Sequence, residues 1–216
     1  MNGIAKIVTT ILCSILLTVR PAVAAIEDDV LRLQQEWERV KYQTAPADQA
    51  KEFERLIMEA DKVVAQYPAR AEALIWRGII EASYAGVKGG LGALSLVKDA
   101  KRTFERAVEL NPEALAGSAY TSLGSLYYQV PGWPLGFGDD KKALEFLKKG
   151  LAINPDGIDP NFFYGDFLYR SGDLDNAERE LRKALQAHPR NGRKVADDGR
   201  RKEINELLEK IAEKRK

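Results

Sequence analysis

Very few side chains in this sequence are of a type and spacing suited to running a reaction. Nucleophilic catalysis needs a Ser or Cys beside a base, most often His, and the chain has one histidine, His188, and one cysteine, Cys13. His188 lies in Gln186-Ala187-His188-Pro189 at the end of a helical pattern, where an imidazole answers the negative end of the helix dipole. A single histidine also excludes a histidine-based metal cluster. Three acidic pairs, Asp139-Asp140, Asp156 with Asp159, and Asp173 with Asp175, carry the oxygens that calcium takes. None has the spacing of a calcium loop, and each stands just before a predicted helix, where Asp accepts hydrogen bonds from free backbone N–H groups. They are expected to cap helices, with no metal and no cofactor. Residues 86–92, GVKGGLG, have the glycines of a phosphate-cradling loop but lack its Gly-Lys-Ser/Thr ending and a preceding strand. A flexible turn between helices is expected there. The chemistry points away from an enzyme and towards a binding protein.

The elements available to position a binding site are helical throughout, with no strand-type alternation. Residues 26–42 set Val30, Leu33, Trp37 and Val40 near i, i+3/i+4 spacing. Residues 47–67 do the same with Phe53, Leu56, Ile57, Ala60, Val63 and Val64, between the breakers Pro46 and Pro68. Residues 158–189 then form the clearest unit. Asn161, Tyr164, Gly165 and Leu168 share one helix face, Gly172-Asp173 turns the chain, and Ala177, Leu181 and Ala184 stripe a second helix closed by Pro189. Two earlier units repeat that second helix: Ala100, Phe104 and Ala107 before Asn111-Pro112, and Ala143, Leu147 and Gly150 before Asn154-Pro155. The terminal prolines Pro68, Pro112, Pro155 and Pro189 are 44, 43 and 34 residues apart.

Small residues where two helices touch, larger apolar ones around them and a closing Pro resemble the tetratricopeptide repeat, a unit of about 34 residues. The resemblance implies an all-α, right-handed helical-repeat solenoid of antiparallel helix pairs. Residues 25–68 read as a degenerate first pair and residues 69–189 as the repeats proper. The excess length falls in inserts at 86–95 and 129–140, and residues 190–216 read as a basic linker and a capping helix. The linker's Gly192 and Gly199 are expected to break helix. Its arginines, interleaved with Asp and Glu, are expected to form a solvated face. Ile204, Leu207, Leu208 and Ile211 mark the cap.

Such repeats line a concave face with their first helices, which implies a partner-binding surface here. The matching positions are Ile75, Ile79 and Ala82 in one unit, then Thr121, Ser125, Tyr128 and Gln129, then Phe162, Asp166, Tyr169 and Arg170. Trp133 and Phe137 of the second insert add aromatics. Ile79, Thr121, Ser125, Tyr128, Trp133, Phe137, Phe162, Asp166, Tyr169 and Arg170 are the candidate site. Aromatic rings with a few polar anchors suit a protein or peptide partner, or a small hydrophobic ligand. Residues 127–150, YYQVPGWPLGFGDDKKALEFLKKG, are also similar to a segment of the periplasmic T-component accessory proteins of TRAP solute transporters. That likeness implies a transporter accessory or carrier as the alternative function.

Charge and the N-terminus bear on partners and location. A formal net charge of +1 gives no basic field for nucleic acid. Lys6, the apolar run 7–19 and Ala22-Val23-Ala24 have the order of a secretory signal peptide. Thirteen residues are too few for a spanning helix, which needs about 20, so cleavage near Ala24 and a periplasmic protein with no integral span are expected. The residue before Cys13 is Leu12, which does not suit lipidation.

Overall fold

The structure is a computed structural model that describes residues 22–216. The expected signal peptide, residues 1–24, lies outside the described residues except for Ala22–Ala24, which open the first helix. Nine helices follow one another among the described residues: α1 (Ala22–Gln43), α2 (Pro46–Gln66), α3 (Ala71–Lys88), α4 (Gly90–Leu110), α5 (Ala114–Gln129), α6 (Asp140–Ile153), α7 (Ile158–Arg170), α8 (Leu174–Leu185) and α9 (Lys194–Lys214).

The repeat signature is a steric one. A Cβ built on Gly78 of α3 would stand 2.7 Å from Phe104 Cε1 of α4. The same construction on Gly124 of α5 meets Leu147 Cγ of α6 at 2.6 Å, and on Gly165 of α7 meets Leu181 Cγ of α8 at 2.8 Å. Three times over, a glycine lets a large apolar side chain of the second helix settle against the first. Ala100, Ala143 and Ala177 are fully buried beside those contacts. The pairs α3–α4, α5–α6 and α7–α8 are therefore tight antiparallel hairpins.

Curvature follows from which helices touch. The first helices of successive pairs are in contact, α1 with α3, α3 with α5 and α5 with α7. Among the described residues, the backbones of α2, α4, α6 and α8 stay more than 8 Å from one another, Cα to Cα. Close contact on one side and splay on the other bends the stack, with α1, α3, α5 and α7 inside. Two core clusters result. One joins α1, α2 and part of α3 with Ala196, and the other runs from α3 to α9.

Two expectations about the irregular parts need correcting. Residues 86–95 are not a loop: α3 continues to Lys88 and α4 begins at Gly90, with Gly89 (φ 61°) between them. Ala93, Leu94, Leu96 and Val97 carry helical apolar spacing, which outweighs the glycines. The C-terminal segment is also more helical than expected. α9 starts at Lys194, and Gly199 lies inside it because a Cβ there would be 2.5 Å from Tyr42 Cδ1 of α1. Gly192 (φ 71°) does make the expected turn. Far from merely covering the last repeat, α9 touches α8, α7 and α1. The stack is thereby closed into a ring of five inner helices: α1, α3, α5, α7 and α9.

Residues 130–139 do form a loop, and an ordered one. Gly138 N–H donates to Pro131 C=O at 3.0 Å and Asp139 N–H to Tyr127 C=O at 2.9 Å. Asp139 in turn accepts from the N–H groups of Lys141 and Lys142 and caps α6, while Asp173 caps α8 through Asn176 N–H.

Candidate functional site: a channel inside the ring

The five inner helices surround a channel of about 1400 Å³. Up-and-down packing makes α3, α5 and α7 parallel, so their C-terminal ends share one end of the channel. That end mixes apolar and polar groups: Leu91, Leu94, Leu126, Val130 and Leu135 line it together with Gln129, Asp166 and Arg170. The opposite end carries Asp159 of α7 and Arg190, Arg193 and Arg200 from the C-terminal segment. At the start of α5, Leu115 and Ala116 line the wall in the left-handed conformation (φ 49° and 53°). Each costs about 1–2 kcal/mol, a strain that the surrounding packing must hold.

The charged end is a network. Arg190 donates to Asp197 at 2.7 Å and to Asp159 at 2.6 Å, and Arg200 donates to Asp159 at 2.9 Å and to Glu203 at 2.6 Å. Burial alone would raise the Asp159 pKa, but Arg200 and then Arg190 outweigh it and hold it at about 2. The Arg200 guanidinium also lies 4.2 Å from the centre of the Phe162 ring. Across the ring closure, Glu38 of α1 accepts Ala196 N–H at 2.6 Å and pairs with Arg193 at 3.5 Å. A buried carboxylate thus meets the first turn of α9, where the helix dipole favours negative charge. The expectation of a solvated basic face is overturned for Arg193 and Arg200, which are buried, and the expectation of a helix cap for Asp159, which pairs with Arg190 and Arg200.

The ten residues proposed from the sequence divide. Ile79, Thr121, Ser125, Phe162, Asp166 and Arg170 line the channel. Tyr128 packs edge-on against Phe167 and donates its hydroxyl to Asp166 at 2.8 Å; burial, and then the Asp166 charge, push its pKa well up. It supports the wall through Asp166. Phe137 lies outside the channel, 5.4 Å from Tyr127 and beside Lys101 of α4, because its loop folds back over the α4–α6 side. Tyr169 also lies outside, under the Lys214 ammonium at 4.0 Å. Trp133 is 90% exposed at the tip of its loop. Trp37, Trp76 and the C-terminal arginines line the channel without having been read from the sequence. The one available signal was the recurrence of Asp among the basic residues after Pro189.

The tetratricopeptide repeat family matches residues 135–197, and the fold as a whole is that of a solved protein of this kind. TTC0263, a thermophilic TPR protein in Thermus thermophilus, superposes with a TM-score of 0.58 at 20% identity, over 86% of this chain and 80% of that one. MamA follows at a TM-score of 0.44 and 19% identity, over 87% and 92% of the two chains. YrrB, a TPR protein with an unusual peptide-binding site, gives 0.42 and 20%, over 90% and 92%. No curated protein sequence matches the chain. The transporter-accessory likeness of residues 127–150 has no counterpart among these matches. No helix among the described residues is long and apolar enough to cross a membrane.

Proposed function

We propose that this protein is an exported, non-enzymatic scaffold that holds a protein or peptide partner in the channel inside its ring. The observation that carries the reading is the channel itself. It has apolar groups such as Leu94, Leu126 and Val130 along its wall, polar anchors such as Ser125 and Asp166 among them, and an exposed apolar lip of Leu91, Trp133 and Leu135. Rigid inner helices reduce the ordering cost of binding, so buried apolar contacts translate into affinity. Export to the periplasm is supported by Lys6, the apolar run 7–19 and Ala22-Val23-Ala24.

The test is affinity capture from periplasmic extract with the wild type, Ser125→Arg and Trp133→Ala. A partner retained by the wild type and lost from Ser125→Arg, with unchanged circular dichroism, supports the channel. Equal capture by both overturns it. Loss from Trp133→Ala alone moves the contact to the lip. The carrier reading is favoured by one observation, the closure of the channel by helices on all sides. Native mass spectrometry of the purified chain checks it, with a bound small molecule as the result it requires.

A further inference from the structure

The three most exposed large apolar side chains among the described residues gather at one end of the molecule: Trp133 at 90%, Leu91 at 86% and Leu135 at 64%. Leu91 opens α4, and Trp133 and Leu135 belong to the loop between α5 and α6, so up-and-down packing brings all three to the same end of the hairpins. Leu91 and Leu135 also line the channel there. The loop holds its tryptophan out. Leu135 and Gly136 N–H both donate to Gly132 C=O, at 3.2 and 3.1 Å, and Phe137 anchors the base of the loop 5.4 Å from Tyr127. Apolar side chains displayed together in this way mark a surface that something covers.

What surrounds them is lysine. Lys88 ends α3, Lys98 lies about two turns beyond Leu91 on the same face of α4, and Lys141 and Lys142 follow the loop at the start of α6. All four are exposed, and none has a carboxylate partner among the described residues. The acids nearby are mostly engaged: Asp99 with Arg102, Glu145 with Lys149, and Asp139 with the N–H groups that it caps. Residues 86–104 and 127–150 together carry eight basic and four acidic side chains, in a chain that is almost balanced at 33 against 32.

This combination selects the occupant. Tryptophan is at home at the level of lipid headgroups, and lysine on its flexible stem meets a spread of negative charge without needing a fixed geometry. Protein interfaces, by contrast, are depleted in lysine and enriched in arginine. The one arginine in these two stretches, Arg102, is tied to Asp99. We propose that the end of the ring bearing Leu91, Trp133 and Leu135 docks on an anionic phospholipid surface. The three apolar side chains enter the interface, and Lys88, Lys98, Lys141 and Lys142 meet the lipid charge. Such attachment is peripheral and reversible, because it needs the apolar contact and the charge together. It does not rest on the scaffold reading, whose test lies on the channel wall at Ser125.

The experiment mixes the full chain with vesicles whose acyl chains carry bromine, a quencher of tryptophan emission. One set is phosphatidylcholine alone and the other an equimolar mixture with phosphatidylglycerol. Trp37 and Trp76 are buried, so the Trp133→Phe variant, measured alongside, isolates the Trp133 signal. Trp133 should be quenched on the anionic vesicles, with roughly tenfold more lipid needed on phosphatidylcholine and release at high salt. Leu91→Ser with Leu135→Ser should raise the lipid needed by about tenfold, and Lys141→Gln with Lys142→Gln by about fivefold for each lysine. All four positions are exposed, and Trp133 remains as the reporter in both variants. Attachment through the apolar run 7–19 would leave Trp133 unquenched. Unquenched Trp133 on anionic vesicles, whether or not the chain attaches, therefore overturns the proposal and returns the lip to a protein partner. Equal quenching on both compositions overturns it too, since the lysines would then play no part.

Discussion

The three hairpins from α3 to α8 and the closure of α9 onto α1 are built by different physics. In the hairpins each contact is a glycine or alanine under a large apolar side chain, made between helices adjacent in sequence. At the closure, residues more than 150 positions apart meet through a buried carboxylate, a helix terminus and an arginine. Apolar fit of the first kind tolerates changes of charge and is lost by changes of volume. The second kind tolerates little loss of a partner, because a buried charge without its counterion is expensive. The ring thus has a steric body and an ionic clasp.

Breaking the clasp should have the largest effect. Glu38→Ala removes the buried acceptor of Ala196 N–H and the partner of Arg193, and is expected to cost about 3–5 kcal/mol in urea unfolding. A loss below about 1 kcal/mol would show the clasp to be incidental. Next comes pH, acting within the steric body. Burial pushes the Glu81 pKa up to about 7, and Arg77, although 2.6 Å away, offsets this only in part. The folded value lies above the ordinary 4.5, so between those two pH values the folded chain holds a proton that the unfolded chain has released. Stability should therefore fall as pH rises through that window, by up to about 1.4 kcal/mol per pH unit. Glu81→Gln should flatten that slope. Gly124→Ala is expected to cost about 1–3 kcal/mol by overpacking against Leu147, whereas the same change at exposed Gly86, with open space around it, should cost nothing. The smallest effect belongs to Trp133→Ala, which should stay within about 0.5 kcal/mol of the wild type because the ring is exposed.

The same division explains what the sequence revealed. Gly165 with Leu181 and Gly124 with Leu147 recur at fixed spacing because hairpin packing is local, so the helices and their order were readable. Ile79, Ser125 and Phe162 were placed on the inner wall by the concave-face positions that the repeat resemblance implies. Glycine content misled at residues 86–95, where the helical spacing of Leu94 and Val97 prevails, and at Gly199, which is small because Tyr42 approaches it. Phe137 was misplaced because its direction is set by hydrogen bonds within the loop, such as Gly138 N–H to Pro131 C=O, and not by helical phase. The polar end of the channel was announced only by the recurrence of Asp among the basic residues after Pro189. Nothing near Arg193 in the chain announces Glu38 or Trp76, since the contact exists only once the repeats have curved far enough to bring α9 back to α1.

That return is the central claim, and a distance measurement tests it most directly. Spin labels at Gln35 of α1 and Lys194 of α9, exposed residues beside the closure, would be placed in a chain carrying Cys13→Ser and read by double electron–electron resonance. A closed ring predicts one narrow, short distance that lengthens and broadens in Glu38→Ala. A long or broad distribution in the unaltered clasp would contradict it, leaving an open solenoid with no channel.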